Sequence, residues 1–285
     1  MSTVSEQLQQ ESQLRFRYAV IAFGAAIALV VSQLLQLSGS QAPVSEETIS
    51  LLNANTRSAL NIAGAAIDTI GLVALSLLLL WLHRSAQARQ PQLKTASRWV
   101  ASAGAWLAGM MALLYTIVFT IKAHQFATTG NQSWPQAYHL FNSAIWYVPQ
   151  LVLELGNLLL AVGVILVALS AMRVGLITRL IGYTGVISGA LFIIGVPVLT
   201  PIIQGYWLAA TAVVLARRWP SGDPPAWDSG VAVPWTPIQR PPDERGTKAQ
   251  RRARVSDKQV LAAVDKNQTP PPNPGAGRSK RKRRK

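Results

Sequence analysis

The chain has 285 residues, 50% of them hydrophobic and only 14% charged, where soluble domains average about a quarter charged; this argues against an ordinary soluble protein. Lys and Arg total 27 against 12 acids, a formal +15, and 17 of the 27 cations lie after residue 216, which divides the chain into an apolar body and a basic tail. Cysteine is absent, so disulfide scaffolds, Cys-ligated zinc, iron–sulfur clusters and thiol nucleophiles are ruled out.

A helix needs about 20 predominantly apolar residues to cross roughly 30 Å of hydrocarbon with its backbone satisfied internally. Six segments meet or approach that length: 18–37, 60–82, 99–121, 146–172, 176–196 and 199–216. The expected architecture is therefore an all-α membrane protein. A short cytoplasmic segment (1–17) precedes a six-helix transmembrane bundle (18–216), whose last two helices form a tight hairpin around Pro197 and Pro201. A cleavable signal peptide is the rival reading of the first segment, which carries Arg15 and Arg17 before it and Ser38, Gly39 and Ser40 after it. Signal h-regions run about 7–15 residues, and this one is longer, which favours an uncleaved span.

Orientation follows from Lys and Arg in short loops, which stay on the cytoplasmic side. With the N-terminus inside, the inner segments hold Arg15, Arg17, Arg84, Arg89, Lys94, Arg98, Arg173, Arg179, Arg217 and Arg218, while the outer loops hold Arg57 and Lys122. That asymmetry predicts both termini in the cytoplasm. Trp81, Trp99, Trp146, Tyr147 and Trp219 fall at span ends, where aromatic rings anchor at the headgroup level. Gly185 and Gly189 form a G-x-x-x-G with Gly182 one turn earlier, a surface for close helix approach inside the bundle or, alternatively, between two copies of the chain.

Charged groups at the bilayer centre cost roughly 2.5–3.5 kcal/mol on insertion scales, so those that occur need a partner or a purpose. Two acids lie inside the spans, Asp68 and Glu154. Each sits seven residues past the outer start of an inward-running span, Asn61 and Tyr147 respectively, hence roughly 10 Å below the outer interface. Asn61 lies two turns before Asp68, while Gln150 and Asn157 flank Glu154 by one turn on either side. If the second and fourth spans are neighbours, Asp68, Glu154, Asn61, Gln150 and Asn157 make an outward-opening pocket for a proton, a cation or a cationic solute. The alternative is that these groups are interhelical hydrogen bonds, worth about 0.6 kcal/mol each on average.

Nothing points to a cofactor. His83, His124 and His139 lack a ligand-like spacing and fall on different sides of the expected topology, so neither zinc nor haem is indicated. No H-E-x-x-H, G-x-S-x-G, Walker A or G-x-G-x-x-G pattern occurs. The outer loop from Lys122 to Gln150 contains a sequon, Asn131-Gln132-Ser133, that matches by chance in many chains. Its aromatics, among them Phe126, Trp134, Tyr138 and Phe141, suit a lid or a short interfacial helix.

Past the body, residues 217–246 form a juxtamembrane segment rich in Pro and Trp, read as extended chain laid along the inner membrane surface or offered to a cytoplasmic partner. The basic tail, 247–285, is expected to be largely disordered apart from a short helix near 256–265, where Ser256 and Gln259 make a capping box. It ends in Arg278, Lys280, Arg281, Lys282, Arg283, Arg284 and Lys285, separated only by Ser279. Such a run is drawn to anionic lipid headgroups by about 1 kcal/mol per residue near the surface. It also binds the phosphates of a ribosome or other nucleic acid nonspecifically.

The segment Asn61-Ile-Ala-Gly-Ala-Ala-Ile-Asp68, the stretch Trp219-Pro-Ser-Gly-Asp-Pro-Pro-Ala-Trp227 and the later Pro234-Trp235 resemble uncharacterised six-helix, multi-pass membrane proteins of actinobacteria, over roughly residues 15–240. The resemblance implies a bacterial plasma membrane and no activity. The basic terminus is also similar in kind to the tails of some actinobacterial membrane insertases, but the body carries no arginine at a span centre as theirs do. The expectation is thus a non-enzymatic scaffold whose tail contacts anionic lipid or a cytoplasmic nucleoprotein assembly. The alternative is a small transporter or ion-coupled receptor built on Asp68 and Glu154.

Overall fold

The computed structural model describes residues 4–37, 47–196, 198–220 and 222–233, and among them all regular structure is helical. In chain order the elements are α1 (Val4–Leu37), α2 (Glu47–Thr56), α3 (Ser58–Arg89), α4 (Ala96–Thr128), α5 (Trp134–Phe141), α6 (Ala144–Arg173), α7 (Arg179–Ile194), α8 (Leu199–Leu215) and α9 (Ala226–Ser229). Among the described residues, α1, α3, α4 and α6 contain the 4 stretches long and apolar enough to cross a membrane, with mean hydropathy between 1.8 and 2.4. α7 and α8 are equally apolar but have 16 and 17 residues. The short helix expected near 256–265, Trp235 and the run from Arg278 to Lys285 lie outside the described residues.

A helix that is apolar all round belongs in a large core or in lipid. Beyond its polar first turns α1 is of this kind, and there it sorts its faces by size rather than polarity: Ala19, Ala22, Ala25 and Ala26 are buried, whereas Val20, Phe23 and Ile27 are exposed. Small residues let neighbouring backbones approach where no hydrophobic force drives them together.

Facing pairs give the register. Glu11, Tyr18 and Ser32 of α1 meet Arg89, Trp81 and Asp68 of α3, so the two helices are antiparallel. Thr69, Ser76 and His83 of α3 meet Gly109, Ser102 and Ser97 of α4. Next, Gly104 and Ala108 of α4 lie against Leu160 and Gly156 of α6, and Gly182 and Gly189 of α7 lie against Met172 and Ile165 of α6. Trp207 of α8 packs on Gly185 of α7, and Gly205 of α8 faces Val30 of α1. The helices α1, α3, α4, α6, α7 and α8 therefore form a closed ring in which each is antiparallel to its neighbours. Gly185 and Gly189, the pair that also suited a contact between copies, are buried within the chain itself.

Local signals set the turns. Thr178 caps α7 by accepting the Ile181 N–H at 3.4 Å, and Gly195 ends it at φ +62°, a left-handed position that costs glycine little. At the distal end, α2, α5 and the end of α4 bury Leu51, Ala54, Ala123, Phe126 and Ala137 together, giving the aromatic loop a small core of its own.

The chain's start and the segment after α8 meet at the opposite, terminal end. Here two expectations are corrected. Trp81, predicted to anchor in headgroups, is 6% exposed and stacks between Tyr18 and Trp227, with centroids 4.5 and 5.4 Å away. The described part of the Pro/Trp segment, residues 217–220 and 222–233, folds back on the bundle end so that Trp227 is buried, its indole N–H donating to Leu176 O at 2.8 Å. The physical reason is supply: Arg15 and Arg89 lie over the ring of Trp227 at 4.6 and 5.1 Å, so the bundle end offers it cation–π contacts and an acceptor that a lipid headgroup region does not fix in place. Trp99 and Tyr147 are exposed, as anchors would be.

Candidate functional site: a polar cavity at Asp68

Asp68 sits on the inward side of α3, opposite Ser32 of α1. Gly64, one turn earlier, admits α1 closely, because a Cβ there would press on Gln36 and Ser32. The fully buried Ser32 hydroxyl lies 3.0 Å from Asp68 Oδ1 and 2.9 Å from Leu29 O, so its single proton is shared between the two acceptors. The second carboxylate oxygen has no partner among the described residues.

That carboxylate borders a cavity of about 350 Å³ to which all six ring helices contribute. Its polar lining comes from Gln33, Asp68, Asn157, Thr200 and Gln204, and its apolar walls include Leu72, Leu153, Leu191 and Phe192. Gly195 and Val196, in the α7–α8 turn, lie along its rim. Gln204 is 5% exposed, yet its Nε2 has no hydrogen-bond partner among the described residues, and the buried Thr200 hydroxyl likewise has none among them. Buried polar groups are nearly always satisfied, so two such atoms beside a cavity mark where a solute or water belongs.

Of the residues the sequence singles out, Asp68 and Asn157 line this cavity together. Asn61 is half-buried farther up α3 and does not line it. Glu154 is exposed on the outer surface of α6 beside exposed Leu151, Leu155 and Leu158, where it accepts from Gln150 Nε2 at 3.2 Å. The rotation of α6 explains the split: Leu153, Asn157 and Leu160 form its inward stripe, and Glu154 and Gln150 lie round the helix from it. The pocket expected to hold both acids thus holds one. Gln33, Thr200 and Gln204 carry no such mark in the sequence: Asn157 stands out by lying one turn from Glu154, whereas Gln33 and Gln204 are amides in apolar runs with no acid beside them.

The histidines are dispersed. His83 is buried and pairs with Ser97 at 3.2 Å, His124 with Asn55 at 3.1 Å, and His139 stands against Tyr138. A second cavity of about 300 Å³ at the terminal end is bordered by Glu11, Arg15, Arg217, Trp227 and Asp228. Its charges are balanced internally. Arg89 forms a two-point pair with Glu11 at 3.0 and 2.7 Å, and Arg15 reaches Asp223 at 3.2 Å and Val214 O at 3.0 Å. These groups fasten the end of the bundle. No family model, curated protein or solved structure matches this chain.

Proposed function

We propose that the chain is a bacterial plasma-membrane protein of six crossing helices, with both termini in the cytoplasm. Its cavity at Asp68 opens to the outer side and binds a small solute for transport or sensing. The observation that carries this reading is a cavity of about 350 Å³ bordered by one carboxylate and two buried polar groups without partners among the described residues. Ionisable groups inside membrane segments mark ligand or ion sites by default. The alternating ring supports six crossings, since α7 and α8 pack at the same level as the longer helices. Their 16 and 17 residues extend about 24–26 Å, a shortfall that local thinning of the bilayer accommodates. The Lys and Arg asymmetry supports the orientation.

The absence of cysteine makes the test clean. Ala112 lines the cavity, whereas Ser76 is fully buried between α3 and α4. In cells or oriented vesicles, Ala112→Cys is expected to react with a membrane-impermeant maleimide added from the outer side, and Ser76→Cys to stay inert. An Ala112→Cys thiol that is inert from outside overturns the reading.

The basic run supports a separate contact of the tail with anionic surfaces, independent of the cavity. Deleting residues 246–285 is expected to abolish salt-sensitive binding of protein in neutral nanodiscs to phosphatidylglycerol vesicles, while leaving cavity labelling unchanged. Flotation at low and high salt checks it.

A further inference from the structure

We infer that the cavity takes a monovalent organic ammonium that also carries a hydroxyl group; the inference rests on the solute-binding reading and names the solute's chemical class. Charge comes first. Asp68 is the sole charged residue among the described residues of the lining, with no Lys, Arg or His beside it. An ionised carboxylate within the bundle is stabilised by a compensating charge, and a single positive charge on the solute leaves the filled cavity neutral.

Size decides between a bare ion and an organic one. A water molecule needs only about 10–15 Å³ of such volume. The cavity's roughly 350 Å³ lies at the lower end of the range of about 300–1,000 Å³ typical of small-molecule sites. A dehydrated metal ion at Asp68 would leave most of that space unfilled. An ammonium with a short carbon body fills it and rests on Leu153, Leu191 and Phe192.

A second helix of the lining supplies the second feature. Gln204 and Thr200 stand on α8 and Asp68 on α3, the two helices that flank α1 on either side. Gln204 Nε2, on a side chain 95% buried, and the Thr200 hydroxyl are donors without acceptors among the described residues. An acceptor oxygen on the solute satisfies them. A carboxylate would restore an uncompensated negative charge, so the oxygen is a neutral acceptor, of which a hydroxyl is the smallest.

Three matched probes test this: choline, its uncharged carbon isostere 3,3-dimethylbutan-1-ol, and propyltrimethylammonium, which lacks the hydroxyl. Each is used, beside sodium chloride at equal ionic strength, to protect full-length Ala112→Cys protein from maleimide. Choline is expected to protect best, propyltrimethylammonium several-fold less well, and the alcohol and sodium not at all. Adding Asp68→Asn is expected to weaken choline protection by about tenfold or more, while Gln204→Leu makes choline and propyltrimethylammonium equal. A thiol that reacts but that choline does not protect overturns the solute class and leaves the cavity reading standing; an inert thiol overturns both. The unfolding temperature of the unsubstituted protein gives a second measurement: choline is expected to raise it, and no rise with choline overturns the inference without reliance on any variant's folding.

Discussion

Arg89 spends its guanidinium on four contacts at once: both oxygens of Glu11, Ser85 O and, through Nε at 2.9 Å, Ala226 O. A buried pair of this kind adds little against an apolar replacement, but removing one member leaves the other charge stranded, at a cost of about 3–5 kcal/mol. Arg89→Ala is therefore expected to lower the unfolding temperature in detergent sharply. Arg89→Lys should recover only part of it, because an ammonium cannot reproduce the forked geometry; a full recovery would show that charge alone matters. At this scale the sequence was half informative. Asp68 and Glu154 read as equals, since both sit at one depth in apolar runs. Depth is set by spacing along one helix, whereas partnership is set by rotation about it, and only packing fixes rotation. The Arg15 and Arg89 contacts were illegible for a different reason: positive residues at span ends already had an explanation in topology, and nothing local pointed to Trp227.

Among the elements, the α4–α6 seam is the closest approach. Cβ atoms added at Gly104 and Gly163 would overlap the backbones of Leu160 and Ala101, and one at Gly156 would stand 2.7 Å from Ala108 N. No side-chain rotation relieves a clash with backbone. Gly163→Val is thus expected to separate the helices and destabilise the protein by about 1–3 kcal/mol or more. An exposed control on the same helix, Val162→Leu, is expected to change little. Thermal unfolding of the two variants side by side checks this. The position of this seam was legible in outline, because Gly104, Gly156 and Gly163 stand in the sequence as small residues in apolar helices. Gly185 and Gly189 stand out more readily, since two glycines at a four-residue spacing match a known pattern; Gly104 pairs with Ala108 in the same way, but Ala conceals the motif. Long helices were easy to place because hydropathy accumulates over 20 residues. The short α2 and α5 were not, since their stability comes from the five-residue core they share.

For the whole molecule, the decisive joint is the stack Tyr18–Trp81–Trp227, which ties α1, α3 and the segment after α8 into one unit. Truncating a buried Trp costs about 3–5 kcal/mol. Trp227→Ala is expected to show that loss, and Trp227→Phe an intermediate one, since it retains a stacking ring but gives up the N–H donated to Leu176 O. A Trp227→Ala protein as stable as the parent would mean that the stack is dispensable. The composition predicts an extended strip here because proline opposes helix; among the described residues after α8, Ala226–Ser229 are helical. What composition does not carry is the destination of such a strip, which depends on a slot formed by residues far away in sequence.

Those distances have a temporal meaning. Arg15 waits 208 positions for Asp223, and Arg89 waits 137 for Ala226. Because synthesis runs from the N-terminus, helices α1 and α3 emerge with Trp81 uncovered and Arg15 without its carboxylate until nearly the whole membrane portion has been made. The bundle is sealed by the last part of it to leave the ribosome. A message cut short before residue 227 leaves its product permanently in the state of a half-made chain, with Trp81 uncovered on one side and Arg89 without the Ala226 carbonyl.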